Sequence, residues 1–318
     1  MKVKLGVDQI RFIVRFAGVS THSWIHDSTS DTATYKAVWS HILNCKQDWK
    51  KGAKHWKVKN GAMTKSVWPL DGGSVLTVAL GFSAIGKSHF MTVQFNPSRF
   101  TSDAASEMQC AFQSMFDHWY EEFVDRAECS YIETPLDVFG AKMADYLFFD
   151  TRLKSVNAFY EADGTLYLGS RTSSRYTTVY NKAKEIADTG GPVSDTHWLR
   201  IEPHRNVAIS AWELPRLPCT FDTLQVIDRK KLTGIVHHTA VTLFRKRVFE
   251  QGMQPQYAYR MASDKGALLH GLKPAVPHWF KPQTFWQAFP AVVHRVTPAG
   301  LDELASNPVS GATGSTAG

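Results

Sequence analysis

Residues 165–182 read TLYLGSRTSSRYTTVYNK, and residues 197–202 read HWLRIE. The first segment holds two short runs rich in Tyr, Thr and Val, at 165–170 and 176–182, and such runs are typical of β-strands. HWLRIE has the same character, and a strong turn sequence, DTGGP, precedes it at 188–192. We therefore predict three short consecutive strands at the centre of the fold.

The preceding part of the chain favours an α+β class. Apolar residues that alternate or cluster predict strands at 10–16, 74–81, 90–95 and 130–139. Apolar residues at helical spacing predict one long helix over 103–126 that packs on the strands. Strands, a single long helix and then strands again indicate a largely antiparallel central sheet with helices packed on it.

The bulk properties exclude some classes of protein and favour others. The 318 residues carry a formal charge of +7 and a pI of about 9.1, which favours a polyanionic partner such as nucleic acid. The sequence has no apolar run of the roughly 18 residues that a transmembrane helix needs, and no signal-peptide pattern. Its four cysteines form no CxxC motif, which argues against a zinc ribbon. We therefore expect a cytoplasmic protein of a bacterial host with no membrane partner.

Three predicted strands each place reactive side chains on one face, because side chains two residues apart on a strand point the same way. These sets are Tyr176, Thr178, Tyr180 and Lys182 on one strand, Trp198, Arg200 and Glu202 on the next, and Glu133 with Asp137 on the strand at 130–139.

This combination suits the transfer of a phosphodiester. A tyrosine phenolate is a competent oxygen nucleophile, and carboxylate oxygens hold Mg²⁺ or Mn²⁺. Lys182 or Arg200 would offset the charge that builds on the phosphate. Each residue alone also has a structural explanation, as a packed tyrosine, a surface ion pair or a solvated acid. Only the combination favours a catalytic site.

The same segments resemble the rolling-circle replication initiation factor family, which includes trans-acting plasmid initiators, related conjugative relaxases and filamentous-phage replication proteins. The matching segments are Thr165 to Ser173, Val179 to Glu185 and Arg200 to Glu202. Glu133 and Asp137 look like the family's two acids four residues apart. The resemblance covers about residues 130–206. The chain departs from the family at Tyr131, where the family has arginine, and at Pro135, which interrupts the acid strand.

The resemblance implies roles for individual residues. Tyr180 is then the nicking tyrosine, Glu133 and Glu202 are the main metal ligands, and Asp137 is a weaker candidate. The implied phosphate contacts are Lys182, Arg171 and Arg200.

Further DNA contacts are expected from the residues themselves. Tyr176 adjoins the SRTSSR turn that ends at Arg175, where an aromatic ring would stack on an unpaired base of single-stranded DNA. Residues 222–250 can be read as helical and carry basic clusters that would bind the DNA backbone. The expected contacts in these clusters are Lys230, Lys231, Arg245 and Arg247.

The sequence thus predicts a nicking domain over 1–210, a helical accessory and DNA-binding region over 211–304, and a disordered tail over 305–318. The tail is small and polar, and the accessory region includes a segment rich in Pro, Trp and Phe at 273–290.

The expected activity is metal-dependent nicking of one strand at a replication origin, through a covalent phosphotyrosyl intermediate. A conjugative relaxase with the same chemistry, or a DNA-binding regulator without catalysis, remains an alternative. The glycine spacing at 83–87, SAIGK, does not form a P-loop, so a host helicase would separate the strands. The oligomeric state is open, a homodimer being one option.

Overall fold

The computed structural model describes residues 1–16, 55–58, 61–69, 75–83, 88–99, 101–115, 125–153, 158–160, 164–297 and 300. The predicted tail over 305–318 and the SAIGK loop after Ser83 lie outside these ranges. In the described parts of the chain, no helix is long and apolar enough to cross a membrane.

The strands, in chain order, are β1 (Lys2–Leu5), β2 (Gln9–Phe16), β3 (His55–Val58), β4 (Gly61–Pro69), β5 (Val75–Ser83), β6 (Ser88–Phe95), β7 (Glu128–Glu133), β8 (Leu136–Phe139), β9 (Tyr146–Asp150), β10 (Ala158–Tyr160), β11 (Leu166–Leu168), β12 (Arg175–Asn181), β13 (Trp198–Ser210) and β14 (Leu224–Asp228).

The α-helices are α1 (Ser102–Met115), α2 (Lys182–Asp188), α3 (Arg229–Thr233), α4 (Thr239–Arg245), α5 (Pro255–Arg260), α6 (Lys265–Leu272), α7 (Pro282–Trp286) and α8 (Phe289–His294). A π-helical turn, Lys246–Glu250, continues α4, and 3₁₀ turns lie at Pro97–Arg99, Met143–Asp145, Ala211–Arg216 and Lys273–Ala275.

The chain divides into two compact units, and each draws on segments from both sides of residue 210. The first unit comprises Met1–Gly6, Glu133–Asn206 and Pro218–Phe289, and the second comprises Val7–Ile132, Val207–Leu217 and Pro290–Gly318. The predicted functional division at residue 210 stays a prediction.

The second unit is built on an antiparallel sheet in the strand order β7-β2-β6-β5-β4-β3. The alternation in IRFIVRF has the expected effect, since Ile10, Phe12 and Val14 are fully buried. Helix α1 adds Met108 and neighbouring alanines to this core, and it begins where Thr101 Oγ1 accepts a hydrogen bond from the Ala104 N–H, at 3.0 Å.

The first unit contains residues 165–182 and 197–202, whose sequence predicts three consecutive strands. Its main sheet runs β10-β11-β12-β13-β8-β1, and every pairing that joins these strands is antiparallel. The α+β class, the largely antiparallel sheet and the helical C-terminal region predicted from the sequence are therefore confirmed.

Two local features differ from the predicted strands. The strand predicted at 130–139 is divided into β7 and β8, because Pro135 has no N–H to donate to a sheet. The strand predicted at 176–182 ends at Asn181, and Lys182 begins helix α2 instead. Asn181 causes this change, since its side chain accepts a hydrogen bond from the Lys184 N–H and caps the helix.

A second, two-stranded sheet of β9 and β14 anchors the C-terminal helices of the first unit. Phe149 on β9 is fully buried, and its ring lies 5.0 Å from Tyr259 of α5 and 5.8 Å from Phe244 of α4, between ring centroids. Gln256 of α5 reaches the end of β9: Asp150 N–H donates to Gln256 Oε1 at 2.8 Å, and Gln256 Nε2 donates to the Asp150 carbonyl at 3.0 Å. The buried side-chain amide of Gln256 thus satisfies both backbone polar groups of Asp150, as a neighbouring strand would.

We expect Gln256→Ala to lower the free energy of unfolding by roughly 2–4 kcal/mol, because it leaves a buried N–H and a buried C=O without partners. Urea denaturation followed by circular dichroism measures the change. The matched control is Gln251→Ala, at an exposed glutamine, which should change stability by less than about 0.5 kcal/mol. Equal effects of the two substitutions would contradict the role assigned to Gln256.

Candidate functional site

One face of the β12–β13 pair carries four of the predicted site residues, which are Tyr176, Tyr180, Arg200 and Glu202. The register places Tyr180 opposite Arg200, Thr178 opposite Glu202 and Tyr176 opposite His204. Directly opposed residues of an antiparallel pair project from the same face, so these six side chains share one surface. The register of β13 with β8 extends this row, since Arg200 also lies opposite Asp137.

Glu133, Glu202 and His204 form a compact cluster on this face. Their candidate ligand atoms all lie within 4.8 Å of one another. His204 stands between the two acids, with Nδ1 3.1 Å from Glu133 Oε1 and Nε2 3.5 Å from Glu202 Oε2. Thr178 Oγ1 lies 2.8 Å from His204 Nε2 and fixes the ring from the neighbouring strand.

The donor set of this cluster fits a divalent metal ion. Carboxylate oxygens suit Mg²⁺ and Mn²⁺, and an imidazole nitrogen beside them suits Mn²⁺ and other transition metals. Glu202 and His204 are buried, and Glu133 is half-buried at the end of β7, so the ligands are held by the sheet rather than by loops. Among the residues that the structure describes, the two acids predicted as principal ligands, Glu133 and Glu202, therefore meet, and His204 joins them.

Asp137, the weaker predicted ligand, is engaged elsewhere. Its Oδ1 accepts hydrogen bonds from Arg200 Nε and Trp198 Nε1, both at 2.7 Å, and its Oδ2 accepts from Arg200 Nη2 at 2.8 Å. The break at Pro135 separates Asp137 from Glu133, so that the spacing of four residues no longer places both acids at one point. Asp137 orients Arg200, and we do not retain it as a metal ligand.

Tyr180 lies half-buried next to this ion pair. Burial raises the pKa of the Tyr180 phenol well above its usual range, and the negative charge of Glu202 raises it further. Arg200 acts in the opposite direction, through its charge and a hydrogen bond to the phenol. Arg200 Nη1 also lies 3.9 Å from Glu202 Oε1, so one guanidinium links the tyrosine side of the site to the acid cluster.

Lys182 has a different place from the one predicted. As the first residue of α2 it is no longer on the strand face of Tyr180, and its ammonium forms an ion pair with Glu185 one turn further on. The ammonium nitrogen lies 5.9 Å from the centroid of the Tyr180 ring. Arg200, rather than Lys182, is thus the cation that supports the phenol.

The predicted DNA-contacting residues of the β11–β12 hairpin lie on opposite sides of it. The guanidinium carbon of Arg171 lies 3.9 Å from the centroid of the Tyr167 ring. Tyr167 lies opposite Thr178, on the face of the acid cluster. The Tyr176 ring stacks on His204, with centroids 4.0 Å apart and planes 8° apart. Arg175 is exposed and, one residue before Tyr176, projects from the other face of β12.

The hairpin turn itself depends on Gly169. Its φ of +99° lies in the left-handed region, and a Cβ there would come within 3.3 Å of the Arg175 carbonyl and of Tyr176 Cβ. A residue with a Cβ would therefore be strained at position 169, which explains the glycine in the LGSR segment.

The shared face opens into a cavity of about 1250 Å³. Its lining contains aromatic, basic and acidic side chains, among them Tyr146, Tyr167, Arg171, Tyr176, Thr178, Tyr180, Lys184, His197, Glu202, His204 and Arg229. Its volume is slightly larger than the roughly 300–1,000 Å³ of small-molecule pockets.

The basic residues predicted to bind DNA in the helical region differ in exposure. Lys230 and Lys231 are exposed at the start of α3. Arg245 is half-buried, and its Nη1 donates to the carbonyls of Thr233 and Ile235 at 2.9 and 3.2 Å, so it holds the loop that joins α3 to α4. Arg247 is half-buried in the π-helical turn.

Sequence reasoning missed His204, and it placed Thr178 on the strand face of Tyr180 without giving it a role. The signal was present, because His204 follows Glu202 by two residues and Thr178 precedes Tyr180 by two, which places each on the same strand face as its neighbour. Neither residue type is informative without the register that opposes the two strands.

No family model matches the chain, and no curated protein matches it. One solved structure similar to it is that of a rolling circle replication initiator protein from Geobacillus stearothermophilus. The two are 13% identical, with 92% of this chain and 97% of that chain covered, at a TM-score of 0.31. Values this low carry no conclusion about function, so we infer the function of this chain from its own residues.

We expect Glu202→Gln and His204→Ala each to weaken Mn²⁺ binding by roughly tenfold or more, because each removes one ligand of three. Asp137→Asn should leave the affinity for Mn²⁺ within about threefold, and instead lower stability by roughly 1.5–3 kcal/mol through the lost charged hydrogen bonds. Titration of Mn²⁺ followed by electron paramagnetic resonance gives the affinities, and urea unfolding gives the stabilities. A large loss of Mn²⁺ binding in Asp137→Asn would return Asp137 to the ligand set.

Proposed function

We propose that this chain is a replication initiator that nicks one strand of DNA at an origin through Tyr180, with a divalent metal held by Glu133, Glu202 and His204. The observation that carries the proposal is the register of β12 with β13, which sets a tyrosine, an arginine and an acid–histidine cluster side by side on one face, where Tyr180, Glu202 and His204 line a cavity.

The nucleophile is the phenol oxygen of Tyr180. It attacks the phosphorus of one phosphodiester, the bond from phosphorus to the 3′ oxygen breaks, and the 5′ phosphate becomes linked to the tyrosine. The leaving 3′ oxygen takes up a proton and becomes a free hydroxyl. Because polymerases extend a 3′ hydroxyl, this polarity provides the primer for replication, and the covalent link conserves the bond for later rejoining.

Arg200 supports this attack in two ways. Its hydrogen bond to the phenol orients the oxygen and favours loss of the phenolic proton. Its position is in turn fixed by the two-point contact with Asp137 and by the Trp198 indole that shares Oδ1. An arginine held in this way needs no reorganisation when charge develops beside it.

Chemistry at the phosphate requires a cation close to the acid cluster. A bound divalent metal would polarise the scissile phosphate and offset the charge of Glu202, the second cause that keeps the phenol protonated. Glu133, Glu202 and His204 supply its ligands, and Thr178 holds the His204 ring in place.

The cavity supports DNA as the substrate. Arg171, Lys184 and Arg229 are exposed residues of its lining, and a chain of formal charge +7 attracts a polyanion. Tyr167 and Tyr176 present aromatic rings to the same space, as sites for unpaired bases do. A host helicase would separate the DNA strands, as expected from the sequence at 83–87, which does not form a P-loop.

The decisive test asks which tyrosine attacks. The full chain is incubated with Mg²⁺ or Mn²⁺ and a supercoiled plasmid that carries the DNA surrounding its gene, and the nicked circle and the protein–DNA adduct are both measured. Tyr180→Phe should lose nicking and adduct together, because the attacking oxygen is gone. Tyr176→Phe is the matched control and should retain both nicking and adduct at a reduced level. Its ring stacks on His204, but its hydroxyl is not the attacking group in this proposal.

Peptide mapping of the trapped adduct identifies the attacking residue directly. Nucleotide on the peptide that contains Tyr180 is the expected result. Nucleotide on Tyr176, Tyr160 or Tyr167 would refute the assignment of Tyr180, and DNA binding without nicking by the unchanged chain would favour a non-catalytic regulator.

A separate prediction concerns the metal. Glu202→Gln should abolish nicking and leave DNA affinity within about twofold, because it removes a metal ligand and not a phosphate contact. EDTA should have the same effect on the unchanged chain. Gel-shift and nicking assays on the same samples separate the two quantities, and full nicking activity in EDTA would rule out the metal.

A further inference from the structure

A buried arginine lies on the opposite face of the β12–β13 pair from Tyr180. Arg205 is only 5% exposed. Its Nη1 donates to the carbonyls of His204 and Tyr176 at 2.9 and 3.2 Å, and its Nη2 donates to the Thr220 carbonyl at 2.7 Å. These three acceptors are neutral, so the guanidinium is held rigidly while its positive charge is not cancelled by a bonded carboxylate.

Two further arginines lie close to it. Arg175 is directly opposite Arg205 in the register, an arrangement of like charges that costs stability in an antiparallel pair. Arg152 follows β9 at the point where the Thr151 N–H donates to the Thr223 carbonyl, which brings it beside the segment that Arg205 binds. Arg260 joins the same surface, with Nη1 3.5 Å from the Leu153 carbonyl.

In the part of the chain that the structure describes, two aspartates lie near this group. Asp150 pairs with Arg152 at 3.5 Å and also accepts its backbone N–H, and Asp222 is exposed on the adjoining turn. Among the described residues, Arg205 thus interacts with the negative charges of Asp150 and Asp222 and with the positive charges of Arg152 and Arg175. The electrostatic consequence appears at Arg205, where burial first and then the charge of Arg152 lower the pKa to about 10.

We propose that Arg175, Arg152 and Arg205 form a second phosphate-binding site, which holds the backbone of DNA adjoining the nicked segment. The site lies at the exposed end of the reverse face of the β12–β13 pair, beyond the part of that face where Val179 and Ile201 are fully buried in the core. Arg260 extends the site. The inference rests on the proposed function only in taking DNA as the ligand, because the site has no part in the chemistry at Tyr180.

The hairpin between β11 and β12 connects the two faces. Arg171, at one end of the exposed turn, lies over Tyr167 on the cavity side, and Arg175, at the other end, projects to the reverse side. Between them the turn exposes Thr172, Ser173 and Ser174, whose hydroxyls are small and polar. A DNA backbone that passes around this turn would meet a guanidinium on each side of it.

Anion binding accounts for the clustering of like charges. Arginines that repel each other in the free protein are stabilised when a phosphate lies between them, and guanidinium groups bind phosphate oxygens in a two-point geometry. Arg205 would contribute mainly a positive electrostatic potential, because its nitrogens already donate hydrogen bonds to backbone carbonyls. The more exposed Arg175 and Arg152 would contact the phosphate directly.

The test measures DNA affinity and does not depend on nicking. Fluorescein-labelled 20-mer oligonucleotides, one single-stranded and one duplex, are titrated with the full chain in EDTA at several NaCl concentrations, and anisotropy gives the dissociation constant. The double variant Arg152→Gln/Arg175→Gln should bind roughly tenfold more weakly at 0.1 M NaCl. Its salt slope should fall by about 0.7–0.9 for each lost contact.

Lys265→Gln removes an exposed charge at the start of α6 and is the matched control. It should leave the salt slope unchanged, and circular dichroism should show that all variants fold. A loss confined to the duplex or to the single strand identifies which form of DNA the reverse face holds. An unchanged slope in the double variant, or an equal loss in Lys265→Gln, would overturn the proposal, and failure of nicking by the unchanged chain would leave this result unaffected.

Discussion

The antiparallel register of β12 with β13 is the constraint on which the candidate site depends. It sets Tyr180 against Arg200, Thr178 against Glu202 and Tyr176 against His204, so three successive pairs fall on one face. A slip of one residue would turn every one of these side chains to the other side of the sheet. Gly169, with its left-handed φ, allows the turn from β11 into β12.

A buried network of charges then fixes the orientation of the side chains. Asp137 and Arg200 satisfy each other through two hydrogen bonds, and the Trp198 indole completes the acceptor sites of Asp137 Oδ1. Burying such a pair costs desolvation free energy, which good geometry offsets. The gain is an arginine that is already in place beside the phenol, in surroundings where charge interactions are stronger than in water.

The same burial that makes these interactions strong keeps the phenol of Tyr180 protonated. Desolvation and the Glu202 carboxylate both raise its pKa, and only Arg200 opposes them. The phenol of Tyr180 is therefore neutral in the free protein, next to the acid cluster. In the function proposed above, it would attack only when a cation and a phosphate are both present beside it.

The sequence by itself determined the elements and the chemical types of the site. Alternation in IRFIVRF and the Tyr, Thr and Val runs at 165–182 specified strands, because side-chain period is a local property of the chain. The sequence also determined that Tyr180 and Glu202 lie on strand faces with other polar residues.

Only the tertiary structure decided which residues meet. Asp137 pairs with Arg200 rather than joining Glu133, because Pro135 breaks the strand and β8 pairs with β13. Lys182 leaves the strand because the Asn181 side chain caps a helix. His204 enters the acid cluster, and Arg205 enters the reverse face, because strand register is set by contacts between segments distant in sequence, which no local pattern records.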